Sequence, residues 1–500
     1  MTRATLLRVL LAVALATATG VHAGRAQTCP RFTNFCPPPL PGPGPQSPGG
    51  SSDSNNNKVG WYILGGVITA VIGWAIKTQI FPDPPPGDPP PPRTLPPPDQ
   101  PTLVQLPPSP PSPGSAGPSA GRPTALRPGC NLPPVGVTSY VSTDVIVDIP
   151  ASASSQAGAI AARHNVTQVD RISVGLIRRD LYLMRGDGGS SVADMIRSIC
   201  GSERLVAGAQ PNYLYALAQE QAEPVNSDQY APQKLNLPEA HRLAKGNSIL
   251  VAVIDSEVDA LHPELDGAIV KNFDASADDE KPHSHGTGMA GAIAARRTML
   301  GVAPRVGLLT VRAFSSRANS VEGTTFNIIK GLDWAAAQGA RIVNMSFAGP
   351  SDPRLRDALA KANKKGMVLI AAAGNAGPKS PPLFPAADPN VIAVTATDVD
   401  DALFTGANRG DYIAVAAPGV DILAPAPDGT YQFTTGTSVA AAEVSGVVAL
   451  MIERNPSLTP ADVRKILMST AKDLGPRGKD RDFGAGLVNA LQAVTAVKPK

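Results

Sequence analysis

Three residues in the C-terminal half of the chain carry side chains that could act together. Asp255 closes the apolar run "VAVID", His285 opens "HGTGMAGAIAARR", and Ser438 opens the alanine-rich stretch "GTSVAAAEV". A hydroxyl is a weak nucleophile until a base takes its proton. An imidazole titrates near neutrality and is a suitable base, and a carboxylate on its other ring nitrogen fixes the tautomer. Brought together, Ser438 would attack, His285 would take its proton, and Asp255 would orient His285. Singly, each has a plainer role. A serine before an alanine run is ordinarily an N-cap, a histidine at a helix start a cap or a solvated side chain, and a strand-end aspartate a cap for the next turn.

The elements that must position these residues begin near residue 240. "SILVAVID", "VGLLTVRAF", "ARIVNMSF", "GMVLIAAAGN", "NVIAVTATD" and "YIAVAAPG" are near-continuous apolar strands alternating with helices. That texture fits a doubly wound, mostly parallel sheet covered by helices on both faces, an α/β architecture. In such sheets ligands bind beyond the carboxyl ends of the strands, where Asp255 lies. Gly286, Gly288 and Gly291 allow the helix after His285 to start close to another backbone.

Ahead of this, residues 137–217 read as a small α+β unit. "TDVIVDI" alternates as a strand, "SASSQAGAIAARHN" is a helix, and "ISVGLIRRDLYLMRG" is strand-rich. "SVADMIRSICG" is a helix ended by Gly201, and "RLVAGAQPNYLYAL" is a closing strand pair. Strand, helix, two strands, helix, strand is the ferredoxin-like order, which names no function by itself.

The chain has 500 residues, 43% of them apolar and 17% charged, enough for a large core. A net charge of +3 with no long basic run gives no nucleic-acid track. Over half of the 52 prolines fall in the first 135 residues. Residues 82–134 therefore read as a disordered, polyproline-like linker, and residues 27–58 as a low-complexity Pro/Gly/Ser segment. Residues 1–26, with Arg3, Arg8, an apolar stretch and small residues at the end, have the pattern of a secretory signal. Residues 59–76 form an uncharged run between Lys58 and Lys77, just long enough to span a membrane; an interfacial placement is the alternative. A spanning segment would leave the rest of the chain in the cytoplasm, whereas Cys29, Cys36, Cys130 and Cys200 form an even set that suits disulfides outside it. Their three pairings, and free thiols, stay open. The expectation is an exported protein, membrane-anchored, with its catalytic part extracytoplasmic.

Residues 225–495 resemble the catalytic domain of subtilisin-like (S8) serine peptidases. "VAVIDSEVDALHPEL", "HSHGTGMAG" and "YQFTTGTSVAAAEVSG" are similar to the family's Asp, His and Ser motifs, in the family's order. "AAAGNAGP" resembles the segment that carries the oxyanion-hole asparagine, which falls on Asn375, and "NMSFAGP" resembles the substrate-binding strand. The resemblance implies a serine endopeptidase acting on polypeptides through an acyl-enzyme. Substrate would be bound by Ser346, Phe347, Ala348 and Gly349 and by Ala373 and Gly374. It also implies that residues 137–217 are an inhibitory prodomain removed by autoprocessing, with "AQPNYLYAL" as the tail laid in the cleft.

The chain departs from the pattern at Glu257, where the family has glycine, and at Ala442 and Glu443, where it has proline and histidine. Alanine suits a helix better than proline, so the helix should survive; Glu443 is either buried against a polar partner or exposed at the cleft. "AARRTMLGVAP" passes from helix to strand without the family's calcium loop, and no metal or cofactor is expected. A zinc site on His262, His283 and His285 lacks a fourth ligand. The alternative function is a weak or inactive membrane-tethered binding or envelope protein that keeps the fold.

Overall fold

The computed structural model describes residues 126–217, 229–277, 280–317 and 320–500. The expected signal, low-complexity segment, candidate membrane span and most of the linker lie outside these residues, as do Cys29 and Cys36. Among the described residues no helix is long and apolar enough to cross a membrane.

The N-terminal module contains β1 (Tyr140–Ile149), β2 (Val166–Val174), β3 (Arg179–Gly186) and β4 (Gly208–Leu217), with helices Ala157–Arg163 and Val192–Ser202. Antiparallel pairing gives the spatial order β2-β3-β1-β4, the ferredoxin-like arrangement. Alternation along β1 sorts its side chains: Val145, Val147 and Ile149 face the module's own helices, and Ile146 faces the larger domain. Three details differ from expectation. The last segment forms one strand, not a pair, and the second helix runs through Gly201 to Ser202. Residues 126–134, assigned to the linker by their prolines, belong to the module: Cys130 is disulfide-bonded to Cys200, and Arg127 donates to the carbonyl oxygens of Cys200 and Glu203.

The larger domain adds β5 (Leu250–Asp255), β6 (Ile269–Asp274), β7 (Gly307–Arg312), β8 (Phe314–Arg317), β9 (Ser320–Thr324), β10 (Ile342–Met345), β11 (Phe347–Ala348), β12 (Val368–Ala372), β13 (Val391–Thr397), β14 (Ile413–Pro418), β15 (Ile422–Ala426) and β16 (Thr430–Thr434). Seven of these form a parallel sheet in the order β14-β13-β12-β10-β5-β7-β6. Both of its faces are buried. Val251 and Val253 pack with the helices Ser284–Ala294 and Thr437–Arg454, while Ala252 and Ile254 pack with the helices Thr325–Ala337 and Pro353–Lys364. The chain order reverses between β5 and β10, so a crevice opens beyond Asp255 and Met345.

The module's sheet sits on the second pair of helices. Asn212 Oδ1 accepts from the Phe326 N–H at 3.2 Å, in the first turn of the helix Thr325–Ala337. Gln210 donates to Asp352 at 2.9 Å, and Asp352 also caps the helix Pro353–Lys364. Arg354 meets Asp148 at 3.1 Å.

Candidate active site

Asp255 is fully buried at the end of β5, and its Oδ1 accepts from the Ser256 N–H and hydroxyl and from His285 Nδ1, the last at 2.6 Å. His285 lies in the first turn of the helix Ser284–Ala294. That helix approaches closely because residue 286 is glycine: a Cβ there would stand 2.4 Å from the Ser256 carbonyl oxygen. With Nδ1 donating to Asp255, Nε2 is the basic nitrogen, and it is buried without a hydrogen-bond partner among the described residues. Ser256 was not singled out in the sequence, yet it ties the site together. Its hydroxyl accepts from the Gly286 N–H at 3.0 Å and lies 3.4 Å from His283 Nδ1.

Ser438 is the second residue of the helix Thr437–Arg454, which packs against the His285 helix. Its hydroxyl donates to the Ser346 carbonyl oxygen at 3.1 Å, and the Ser346 hydroxyl donates back to the Ser438 carbonyl at 2.9 Å. Beneath them Asn344 donates to the Ser346 hydroxyl, and Ser445 donates to Asn344. The first-turn N–H groups of this helix have no intrahelical acceptor, so negative charge is favoured at the helix start.

Asn375 follows Gly374, whose φ of 105° strongly favours glycine. Thr437 donates to Asn375 Oδ1 through its N–H and its hydroxyl, and the Thr437 hydroxyl also accepts from the Gly374 N–H. Asn375 Nδ2 is left buried without a partner among the described residues. Ala373 and Gly374 are otherwise fixed by backbone bonds to Val394 and Asn408.

The expected substrate-binding strand is occupied by the module's own β4. Leu217 pairs with Phe347 and Ala216 with Ala348 on one side; on the other, Leu214, Tyr215 and Ala216 pair with Thr324, Gly323 and Glu322. Gly349 pairs instead with Phe384. The β8–β9 edge that closes the other side of the cleft was missed in the sequence.

The departures lie outside the reacting centre. Glu257 is half-buried and turns to Arg312 at 3.3 Å; burial raises its pKa against the pull of Arg312. Glu443 is buried in the helix core, its Oε2 has no partner among the described residues, and burial raises its pKa well above the ordinary value. None of the described residues supplies that oxygen with the polar partner allowed for in the sequence. Ala442 continues an unbroken helix. His262 Nε2 lies 3.0 Å from the Thr430 carbonyl oxygen, and its Nδ1 accepts from the Glu264 N–H. Among the described residues no group of three or more His, Cys, Asp or Glu side chains could hold a metal ion.

A doubly wound parallel sheet with a buried Asp–His pair and a serine at a helix start defines a class of hydrolase. The chain belongs to the subtilase family of serine peptidases (Peptidase_S8), whose profile matches residues 246–486. Thermitase of Thermoactinomyces vulgaris is 35% identical over 277 residues, spanning 54% of this chain and 96% of thermitase. Subtilisin E of Bacillus subtilis is 36% identical over 274 residues, spanning 53% of this chain and 70% of subtilisin E. The crystal structure of fervidolysin from Fervidobacterium pennivorans, described as a keratinolytic enzyme related to subtilisin, superposes with a TM-score of 0.65 at 25% identity. That match covers 74% of this chain and 64% of fervidolysin. The protein is a subtilisin-like serine peptidase.

Proposed function

We propose that Asp255, His285 and Ser438 form the catalytic triad of an endopeptidase, with Asn375 in its oxyanion hole. The observation that carries this reading is the buried Asp255–His285 hydrogen bond, which leaves His285 Nε2 as the base. Ser438 Oγ attacks the scissile carbonyl carbon as its proton passes to His285 Nε2. The oxyanion is held by Asn375 Nδ2 and the Ser438 N–H. Collapse of the intermediate breaks the C–N bond, and His285 protonates the leaving amine. Water then attacks the acyl ester, giving its proton to His285, and Ser438 is regenerated. Loss of one oxyanion donor costs about 10²–10³ in turnover, a magnitude established on subtilisin itself rather than inferred from this chain.

The antiparallel pairing of β4 with β9 and β11 supports reading residues 137–217 as an inhibitory prodomain laid along the cleft in the manner of a substrate. Autoprocessing beyond Leu217 would release it. The Cys130–Cys200 disulfide favours an oxidising compartment and hence export. A tether through residues 59–76 rests on the sequence alone. The test is labelling with a serine-reactive fluorophosphonate after prodomain removal; an unlabelled Ser438 would leave a binding protein with a peptidase fold. The mature amino terminus is expected among residues 218–229, and one outside 212–235 rejects the prodomain assignment.

A further inference from the structure

Asn375 lies in a short turn after β12, and its neighbours there are held by a second turn, residues 404–412, that leads into β14. The Tyr412 hydroxyl donates to the Ala373 carbonyl oxygen at 3.4 Å, and the Asn408 N–H donates to the Gly374 carbonyl oxygen at 2.9 Å. The Gly377 N–H donates to the Gly406 carbonyl oxygen at 2.9 Å, and the Ala376 N–H to Asn408 Oδ1, also at 2.9 Å. Asn408 thus binds the main chain on both sides of Asn375 and leaves the Asn375 side chain to Thr437. The approach is close: a Cβ at residue 374 would stand 2.6 Å from Asn408 Nδ2. The second turn is itself anchored, by the Gly410 N–H on the Arg481 carbonyl oxygen and by Arg409 on Asp482, each at 2.9 Å.

Asn408 is fully buried, and its Nδ2 has no hydrogen-bond partner among the described residues. An amide buried with its nitrogen unpaired costs more than an apolar side chain of that size. Core stability does not account for it, and the working atom is Oδ1. We propose that Asn408 is a positioning residue for the reaction: by bracketing Asn375 through the Gly374 carbonyl and the Ala376 N–H, it fixes the backbone from which Asn375 Nδ2 reaches the oxyanion. The proposal rests on the reading of Asn375 as an oxyanion donor. Gly374 gives the turn little stiffness of its own, because glycine moves between backbone conformations at low cost. Thr437 fixes the oxygen end of the Asn375 amide, and Asn408 fixes its root. A loosened turn weakens the hold on the oxyanion in the transition state and leaves ground-state binding of the substrate nearly as it was.

In the matured enzyme Asn408→Ala is expected to lower kcat by about 3- to 10-fold, the value of one neutral hydrogen bond, with KM nearly unchanged. Asn408→Leu removes the same oxygen but fills the space, and it should lose kcat alike. Wild-type kcat in the leucine variant would assign the loss to a cavity and overturn the proposal. On the Asn375→Ala background either change should add little, because its effect passes through Asn375. A loss of kcat repeated in full on that background, or a change carried by KM alone, overturns the proposal and leaves the oxyanion reading standing. A second measurement needs no turnover. In the uncleaved Ser438→Ala chain, Asn408→Leu should speed amide exchange at Ala376 by the same about 3- to 10-fold, and unchanged exchange overturns the proposal. Faster exchange in an enzyme whose Asn375→Ala variant keeps full kcat would show the bracket but overturn the oxyanion reading, and the positioning role with it.

Discussion

Thr437 holds Asn375 by its oxygen: the Thr437 N–H and hydroxyl both donate to Asn375 Oδ1, at 3.1 and 2.8 Å, and Nδ2 stays without a partner among the described residues. The residue before the proposed nucleophile therefore pre-orients the proposed oxyanion donor, which matters because such donors act by needing no reorganisation at the moment of reaction. Asn375→Ala should lower kcat by about 10²–10³. Thr437→Val, which keeps the N–H bond and loses the hydroxyl, should lower it by roughly 10-fold, the value of one hydrogen bond. On the Asn375→Ala background the threonine change should add little, because its effect passes through Asn375. Strictly additive losses in kcat across the four enzymes would show that Thr437 acts elsewhere.

Glu443 should make stability fall as pH rises. Burial raises its folded-state pKa well above the ordinary 4.5, so the folded chain keeps a proton that the unfolded chain gives up. The contribution is fully present below the unfolded pKa and is lost as pH climbs from there through the folded pKa. Glu443→Met fills the site without a titrating group, and it is expected to gain about 1–3 kcal/mol over the wild type at pH 8 and less at pH 5. Urea unfolding of both proteins at the two pH values measures this; parallel pH profiles would place the ionisation elsewhere.

What could be read from the sequence follows from where the determining forces act. The central strands were legible because both faces of the sheet are buried, so Val251 to Ile254 are apolar throughout. The triad candidates were legible because element ends carry their own signatures. β9 was not: "SVEGT" is short and polar, and it becomes a strand through pairing with β8 and with β4, which is distant in sequence. β15 carries Pro425, which masks a strand that pairs on one side only, with β16. Proline content placed residues 126–134 in a linker because composition does not register the covalent tie at Cys130. Thr437, Ser256 and Asn344 work through partners that only the fold brings near.

Arg354 and Asp148 form a buried bridge between the peptidase domain and the N-terminal module, 3.1 Å apart, with Arg179 also on Asp148 at 2.8 Å. Burial raises the Asp148 pKa and lowers that of Arg354, so each would be costly to leave alone. Arg354→Ala should destabilise the uncleaved Ser438→Ala chain by about 3–5 kcal/mol, whereas Arg354→Met combined with Asp148→Leu should recover most of that loss. Calorimetric unfolding of the three chains decides; a double variant no more stable than Arg354→Ala rejects the idea of a stranded charge.

The Cys130–Cys200 disulfide closes a 70-residue stretch and ties the start of the module to the helix Val192–Ser202. The module is small, with one core of its own and one sheet face resting on the peptidase domain. It therefore depends on this cross-link more than the peptidase domain does, in which no disulfide occurs among the described residues. Removing the bond should cost about 2–5 kcal/mol, through the freedom returned to the unfolded chain. Cys130→Ser in the uncleaved Ser438→Ala chain should lower the first unfolding transition and leave the peptidase transition nearly in place. Dithiothreitol should have the same effect on the unsubstituted cysteines and none on the variant. A reductant-sensitive peptidase transition in that variant would mean that stabilising cross-links lie elsewhere in the chain.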